Sequence, residues 1–153
     1  MGSDSLLRGK VALVTGAGAG FGRSLALGLA DAGASLAVVG PGRDAGEQAT
    51  AREIEELGGC AAALVTGFAS RREVEAAFAA AARTLGPIHL LVHAYVDPVA
   101  LEARELADVD AALWDATCEA TIRSALFCCQ VAHAQMRDRG GRIVLVIASR
   151  VSE

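Results

Sequence analysis

The chain has one tyrosine, Tyr95, one lysine, Lys10, three prolines and four cysteines in 153 residues. Its longest apolar runs fall well short of the roughly 18 residues that a membrane-spanning helix needs. No basic, apolar, small-residue leader precedes the first apolar run, so a cytoplasmic protein is expected, with no membrane partner. The net charge is -4 and the basic residues are scattered, so the footprint of a nucleic-acid binder is missing. Cys60, Cys118, Cys128 and Cys129 have no C-x-x-C spacing; they are expected to be reduced, mostly core thiols, and no metal site is expected. Internal repeats, linkers and low-complexity tracts are also lacking, which predicts one domain over residues 1–153 with a loose lead at 1–7.

What is present is a core. The apolar fraction is 53% against 21% charged, which excludes disorder for a chain of this length. The stretch Thr15 to Gly22, TGAGAGFG, sits between the apolar run 11–14 and an apolar helix at 21–32. A strand, a glycine turn and a helix N-terminus in succession bring free backbone N–H groups and a positive helix end together, as a pyrophosphate requires. The spacing is G-x-x-x-G-x-G rather than G-x-G-x-x-G.

Downstream the punctuation repeats. Gly33 stops the first helix, 35–39 reads as a buried strand, and Gly40-Pro41-Gly42 forces a turn. Asp44 is the expected cap of an amphipathic helix at 45–57, which Gly58-Gly59 ends. A strand at 60–66, a helix capped by Ser70 and stopped by Gly86-Pro87, and a strand at 88–92 follow. Residues 95–107 read as an irregular loop, 109–138 as a long helix ended by Gly140-Gly141, and 142–147 as a fifth strand. Strands alternating with helices predict a Rossmann-like, doubly wound parallel sheet in three α/β/α layers, with five strands in the order 3-2-1-4-5. In such a sheet the ligand crevice lies at the carboxyl ends of the strands, where the order reverses. That directs attention to 15–22, 40–44, 67–70, 93–96 and 148–151.

These residues together resemble the short-chain dehydrogenase/reductase family. The resemblance is carried by Thr15-Gly16, Gly20 and Gly22 in a T-G-x-x-x-G-x-G turn, by Gly33-Ala34, by Leu91-Val92, by Trp114-Asp115 and Phe127-Cys128-Cys129 on the long helix, and by Gly141-Arg142-Ile143-Val144. It implies hydride transfer between NADP or NAD and an alcohol or carbonyl. It nominates Thr15, Gly16, Gly20, Phe21, Gly22, Arg43, His93 and Ala94 for contact with the cofactor, and makes Ser149 the counterpart of the family's catalytic serine. Arg43 would meet the 2'-phosphate of NADP, which tilts the expectation slightly towards that cofactor.

The family's chemistry also needs a Tyr-x-x-x-Lys pair, because a phenol of lowered pKa moves the proton. Val99 stands four residues after Tyr95, and Lys10 precedes the first strand, so the 153 residues contain no such pair. The family's Asn-Asn-Ala-Gly appears as His93-Ala94-Tyr95-Val96, its long-helix asparagine falls on Thr121, its adenine-contacting aspartate on Gly67, and the acid at the end of the second strand on Gly40. A subunit that does not transfer hydride by itself follows, associating through the helix 109–138 with a copy of itself or with an active homologous dehydrogenase subunit. An active reductase whose Tyr and Lys lie beyond Glu153, and a nucleotide-binding sensor, remain as alternatives. His93 has two readings, a general base or a hydrogen-bonded structural residue, and Tyr95 either closes over the nicotinamide pocket or caps the sheet. The glycine turn is either a cofactor cradle or a packing device. The apolar fifth strand, left as an edge, is expected to invite pairing.

Overall fold

The computed structural model describes residues 6–42, 44–97 and 105–147. Five parallel strands form one sheet in the order β3-β2-β1-β4-β5: β1 Val11–Thr15, β2 Ser35–Gly40, β3 Ala61–Val65, β4 Ile88–His93 and β5 Arg142–Leu145. The helices are α1 Gly20–Asp31, α2 Gly46–Glu56, α3 Arg71–Leu85, α4 Ala111–Cys118 and α5 Ser124–Met136. The expected strand order and crossovers are therefore present.

Strand side chains alternate between the two faces of the sheet, and the core divides accordingly. Val11, Leu13, Ala37, Val39 and Leu91 join Val74 and Phe78 of α3 and Cys128, Val131 and Met136 of α5. Ala12, Val14, Leu36, Val38 and Val92 join Ala26 of α1 and Ile54 of α2 on the opposite face. Both faces of β1 and β2 are covered, which explains why these strands read as unbroken apolar runs. Among the described residues no helix is long and apolar enough to cross a membrane.

Several local expectations are corrected. Helix α2 is not capped by Asp44; its N-cap is Ala45 in the left-handed conformation (φ 52°), with no side-chain bond to the first turn. The long helix is divided: Asp110 caps α4 through Leu113 N–H, and a π turn at Glu119–Arg123 separates α4 from α5. A π turn inserts one residue per turn and resets which side chains face the sheet. Ser70 does cap α3, and the reciprocal bond from Glu73 completes a capping box. Of the four cysteines, all free, only Cys128 is buried and Cys60 is exposed, so the thiols are not mostly core. Burial pushes the Cys128 thiol up to about 12, with Cys129 adding to it, so it stays protonated and inert.

Candidate functional site: the carboxyl edge of the sheet

The turn after β1 is fixed by close backbone approaches. Gly16 has φ 69°, and a Cβ there would lie 2.8 Å from the Cα of Tyr95. A Cβ on Gly22 would overlap the carbonyl oxygen of Gly16. These two glycines are thus required by packing whether or not a ligand is held. Gly20 differs: its φ is 53° and the space around it is open. The N-cap of α1, Ala19, offers no side-chain acceptor, so the first-turn amides at Gly20, Phe21 and Gly22 have no cap. These amides face a cleft of about 450 Å³ whose walls include Gly16, Gly18, Phe21, Asp44, Glu47 and Ala94.

Thr15 organises the neighbouring strand end. Its Oγ1 accepts the N–H groups of Ala94 and Tyr95, each at 3.2 Å, and lies 2.9 Å from Nδ1 of His93. Two accepted bonds occupy both hydroxyl lone pairs, so the Thr15 proton is donated to Nδ1. Neutral His93 then carries its own proton on Nε2, an assignment made from the network. Desolvation lowers the His93 pKa to about 4. A ring so weakly basic, with Nδ1 already engaged, is a poor general base near neutral pH; it is a neutral hydrogen-bond donor. The structural reading of His93 is the one the geometry supports.

His93 also lines a second cavity of about 590 Å³, shared with Thr117, Thr121, Leu126, Cys129 and Leu145. Thr121 lies in the π turn and donates to Thr117 O at 2.6 Å. Tyr95, Val96 and Val146 line both hollows, so the two adjoin along the strand ends. The ring of Tyr95 stacks on Phe68 with centroids 4.7 Å apart, and its hydroxyl donates to Asp97 at 3.0 Å. Tyr95 therefore caps the sheet. Phe68, absent from the sequence expectations, is buried in a left-handed conformation (φ 57°), with its ring also edge-on to His93 at 6.3 Å.

Sequence reasoning also missed Glu47. It is 4% exposed in the first turn of α2, with its carboxylate over Gly40 and Gly18. A Cβ at Gly40 would overlap that carboxylate, and one at Gly18 would stand 2.8 Å from Oε1. The absent side chain at the end of β2 is what lets the acid in. Three buried side-chain atoms lack a hydrogen-bond partner among the described residues: Oε2 of Glu47, Oγ1 of Thr66 and Nε2 of His93. All three lie along the carboxyl edge of the sheet. Arg23 in the first turn of α1 already has its anion, pairing with Glu53 of α2. Arg43 and Ser149 lie outside the described residues, and no cluster of metal-binding side chains occurs among those described.

A parallel sheet wound in this order, with an uncapped helix end and a glycine turn at its switch point, is a Rossmann-type fold, with its crevice at the carboxyl ends of the strands. The chain belongs to the short-chain dehydrogenase family, whose model matches residues 10–153. It is 36% identical over 140 residues to a hydroxynaphthalene reductase-like protein, Arp2, of Metarhizium brunneum, covering 92% of this chain and 51% of that one. A solved 7α-hydroxysteroid dehydrogenase in complex with NADH and 7-oxo glycochenodeoxycholic acid superposes with a TM-score of 0.82 at 30% identity, over 95% of this chain and 56% of the other. A short chain dehydrogenase from Burkholderia cenocepacia, in complex with NADP, superposes with a TM-score of 0.81 at 32% identity, over 91% and 55%. The chain spans about half the length of the relatives it matches.

Proposed function

We propose that the 153-residue chain is a single nicotinamide-dinucleotide-binding domain that does not transfer hydride by itself. The observation that carries this reading is the contrast within one edge of the sheet. The amide cradle of α1 opens on a cleft of about 450 Å³, whereas the only phenol in the chain is buried against Phe68 and bonded to Asp97. The only lysine, Lys10, precedes β1 and so lies at the opposite end of the strands from the cleft. The residues present fit a dinucleotide: the cradle would hold the pyrophosphate, and the bound nicotinamide would supply hydride chemistry. A cytoplasmic location is part of the same reading, supported by four free cysteines.

Titration with NADH, followed by the cofactor's fluorescence, is the test. Binding that Gly20→Asp abolishes, with no oxidation of NADH on adding carbonyl substrates, is the expected outcome. Carbonyl reduction by the purified, folded chain would overturn it. If residues following Glu153 supply a Tyr-x-x-x-Lys pair, the same cleft would serve an active reductase, a reading supported by the half-length match to relatives.

Association with a second subunit, a copy of this chain or an active homologue, is supported by a separate observation. Trp114 of α4, Ile122 of the π turn and Leu126 of α5 are 63%, 66% and 52% exposed, an unusual row of large apolar groups for a solvent-facing helix. Sedimentation of the pure chain, and of its mixture with an active homologue, tests it. A monomer in both would remove this part of the proposal.

A further inference from the structure

At the amino end of the sheet, opposite the cleft, the half-buried His89 stands where the pairing of β1 with β4 is irregular. Val11 lies opposite Ile88, the next pair is Ala12 with Leu90, and His89 is skipped. Its Nδ1 accepts the Val11 N–H at 3.1 Å. A backbone N–H can only donate, so Nδ1 carries no proton and the neutral ring has its proton on Nε2, an assignment made from this bond. Lys10, just before β1, and Arg139, just after α5, act on the ring as cations. Arg142 at the start of β5 stands opposite Leu90, the next residue along β4, and Asp138, the acid beside Arg139, is paired with Arg137. Desolvation, then Lys10, then Arg139 hold the His89 pKa below 6.5; no carboxylate contributes, and the opposing influence, a hydrogen bond to the Pro87 backbone, is the smallest.

We infer that His89 is an acid-operated latch: the neutral ring holds the start of β1 against β4, and its protonation releases Val11. An imidazolium has N–H groups at both nitrogens and no acceptor. Protonation at Nδ1 sets two donors against each other, Nδ1–H and the Val11 N–H, and adds a positive charge beside Lys10 and Arg139. The ring then has to turn away from β1. The lead is held on its other side: the Lys10 carbonyl accepts the Ser35 N–H at 2.9 Å, the Lys10 N–H donates to Leu7 at 2.9 Å, and the Leu7 N–H donates to Ala32 at 3.0 Å. Acid therefore opens this point towards β4 rather than towards β2. Two residues further on, Leu13 and its partner Leu91 are fully buried, so the release stops at the first residue of the strand and the cleft at the far end stays formed.

Backbone hydrogen exchange, read by NMR on the 153-residue chain from about pH 7.5 to about pH 4.5, tests the latch without any ligand. Each pH unit below 6.5 should lower the protection of Val11 by up to about tenfold relative to Leu13, because the open form takes up one proton more. Comparing two amides of one strand removes any loss of stability shared by the whole chain. At neutral pH the ring 15N shifts should show the His89 proton on Nε2. His89→Gln retains an acceptor and cannot titrate, so its ratio of Val11 to Leu13 protection should stay constant with pH. A neutral ring with its proton on Nδ1, or a wild-type ratio that acid does not change, would overturn the latch, and neither measurement needs a variant to fold. A folded His89→Gln whose ratio falls in acid as the wild type's does would overturn it as well.

Discussion

The two hollows along the carboxyl edge are built differently. The first, over β1 and β2, is walled by backbone: Gly16 against Tyr95, Gly22 against Gly16, Gly46 against Gly18, and Thr50 bonded to Ala17. The second, over β4 and β5, is walled by side chains on a strand and helix that are open to solvent; Ile122, Leu126 and Leu145 are 66%, 52% and 47% exposed. Backbone walls cannot relax, whereas partly exposed side chains can repack or take a new neighbour. The end that suits the nucleotide is thus set in advance, and the end where chemistry would occur is not closed by the residues described.

The largest expected break in this contrast comes from one substitution on each side. Gly22→Ala pushes a Cβ into a carbonyl oxygen of the turn, not into a flexible side chain, and should cost about 3 kcal/mol, the upper end of the usual range for overpacking. Leu145→Ala, on the exposed β5, should cost below about 1 kcal/mol. Urea unfolding of the two variants measures both. Equal losses would mean that the turn yields as easily as the edge, and the contrast would fail.

The next effect lies at the boundary between the hollows and depends on pH. His93 has its folded pKa depressed from 6.5 to about 4 by desolvation. The unfolded chain therefore binds the proton more readily between those values. Stability from this group is fully present above about pH 6.5, falls as the pH drops, and levels off below about pH 4; the whole change is about 3 kcal/mol at about 1.4 kcal/mol per pH unit. His89 is also held below its ordinary value, by desolvation first and then by Lys10 and Arg139, and adds in the same direction. Comparing the slope of stability against pH in wild type and His93→Asn separates the two. A slope unchanged by His93→Asn would show that the ring is not desolvated in solution.

How much of this is legible in the sequence follows from the range of the interactions. The strands and their order could be read, because apolar runs cut by glycine and a Ser70-x-x-Glu73 box are local signals. The double role of Gly16 and Gly22 could be read only in part, since their partners include Tyr95, nearly eighty residues away in the chain. Glu47 looks like an ordinary first-turn surface acid in Gly46-Glu47-Gln48; only Gly18 and Gly40, brought beside it by the sheet, bury it. Phe68 in a left-handed conformation runs against local preference; the stack on Tyr95, the edge contact with His93 and burial against the core hold it there. His89 carried no signal at all, yet its Nδ1 accepts the Val11 N–H at 3.1 Å where the β1–β4 register shifts.

A smaller effect sharpens the first hollow. Thr50→Val removes a side-chain bond that ties α2 to the glycine turn, at a cost of about 1 kcal/mol, because the Ala17 carbonyl is left buried without that donor. The loss in cofactor affinity should exceed what stability alone implies, since the start of α2 also forms a wall of the cleft. A variant that loses stability but binds NAD as before would separate the tie from the site.

The smallest expected change in stability is on the open side. Trp114→Ala and Ile122→Ala alter side chains that are 63% and 66% exposed, so each should shift the unfolding free energy by no more than about 0.5 kcal/mol. The informative readout is different. If this apolar row meets a second subunit, the double variant should lower the sedimentation coefficient of the assembled form at fixed concentration while unfolding as the wild-type monomer does. Unchanged sedimentation would leave the row as exposed surface and place any subunit contact elsewhere. A large loss of stability instead would show that α4 is packed against its own chain more firmly than its exposure indicates. The contrast between a fixed nucleotide end and an adaptable second end would then have to be redrawn around the π turn.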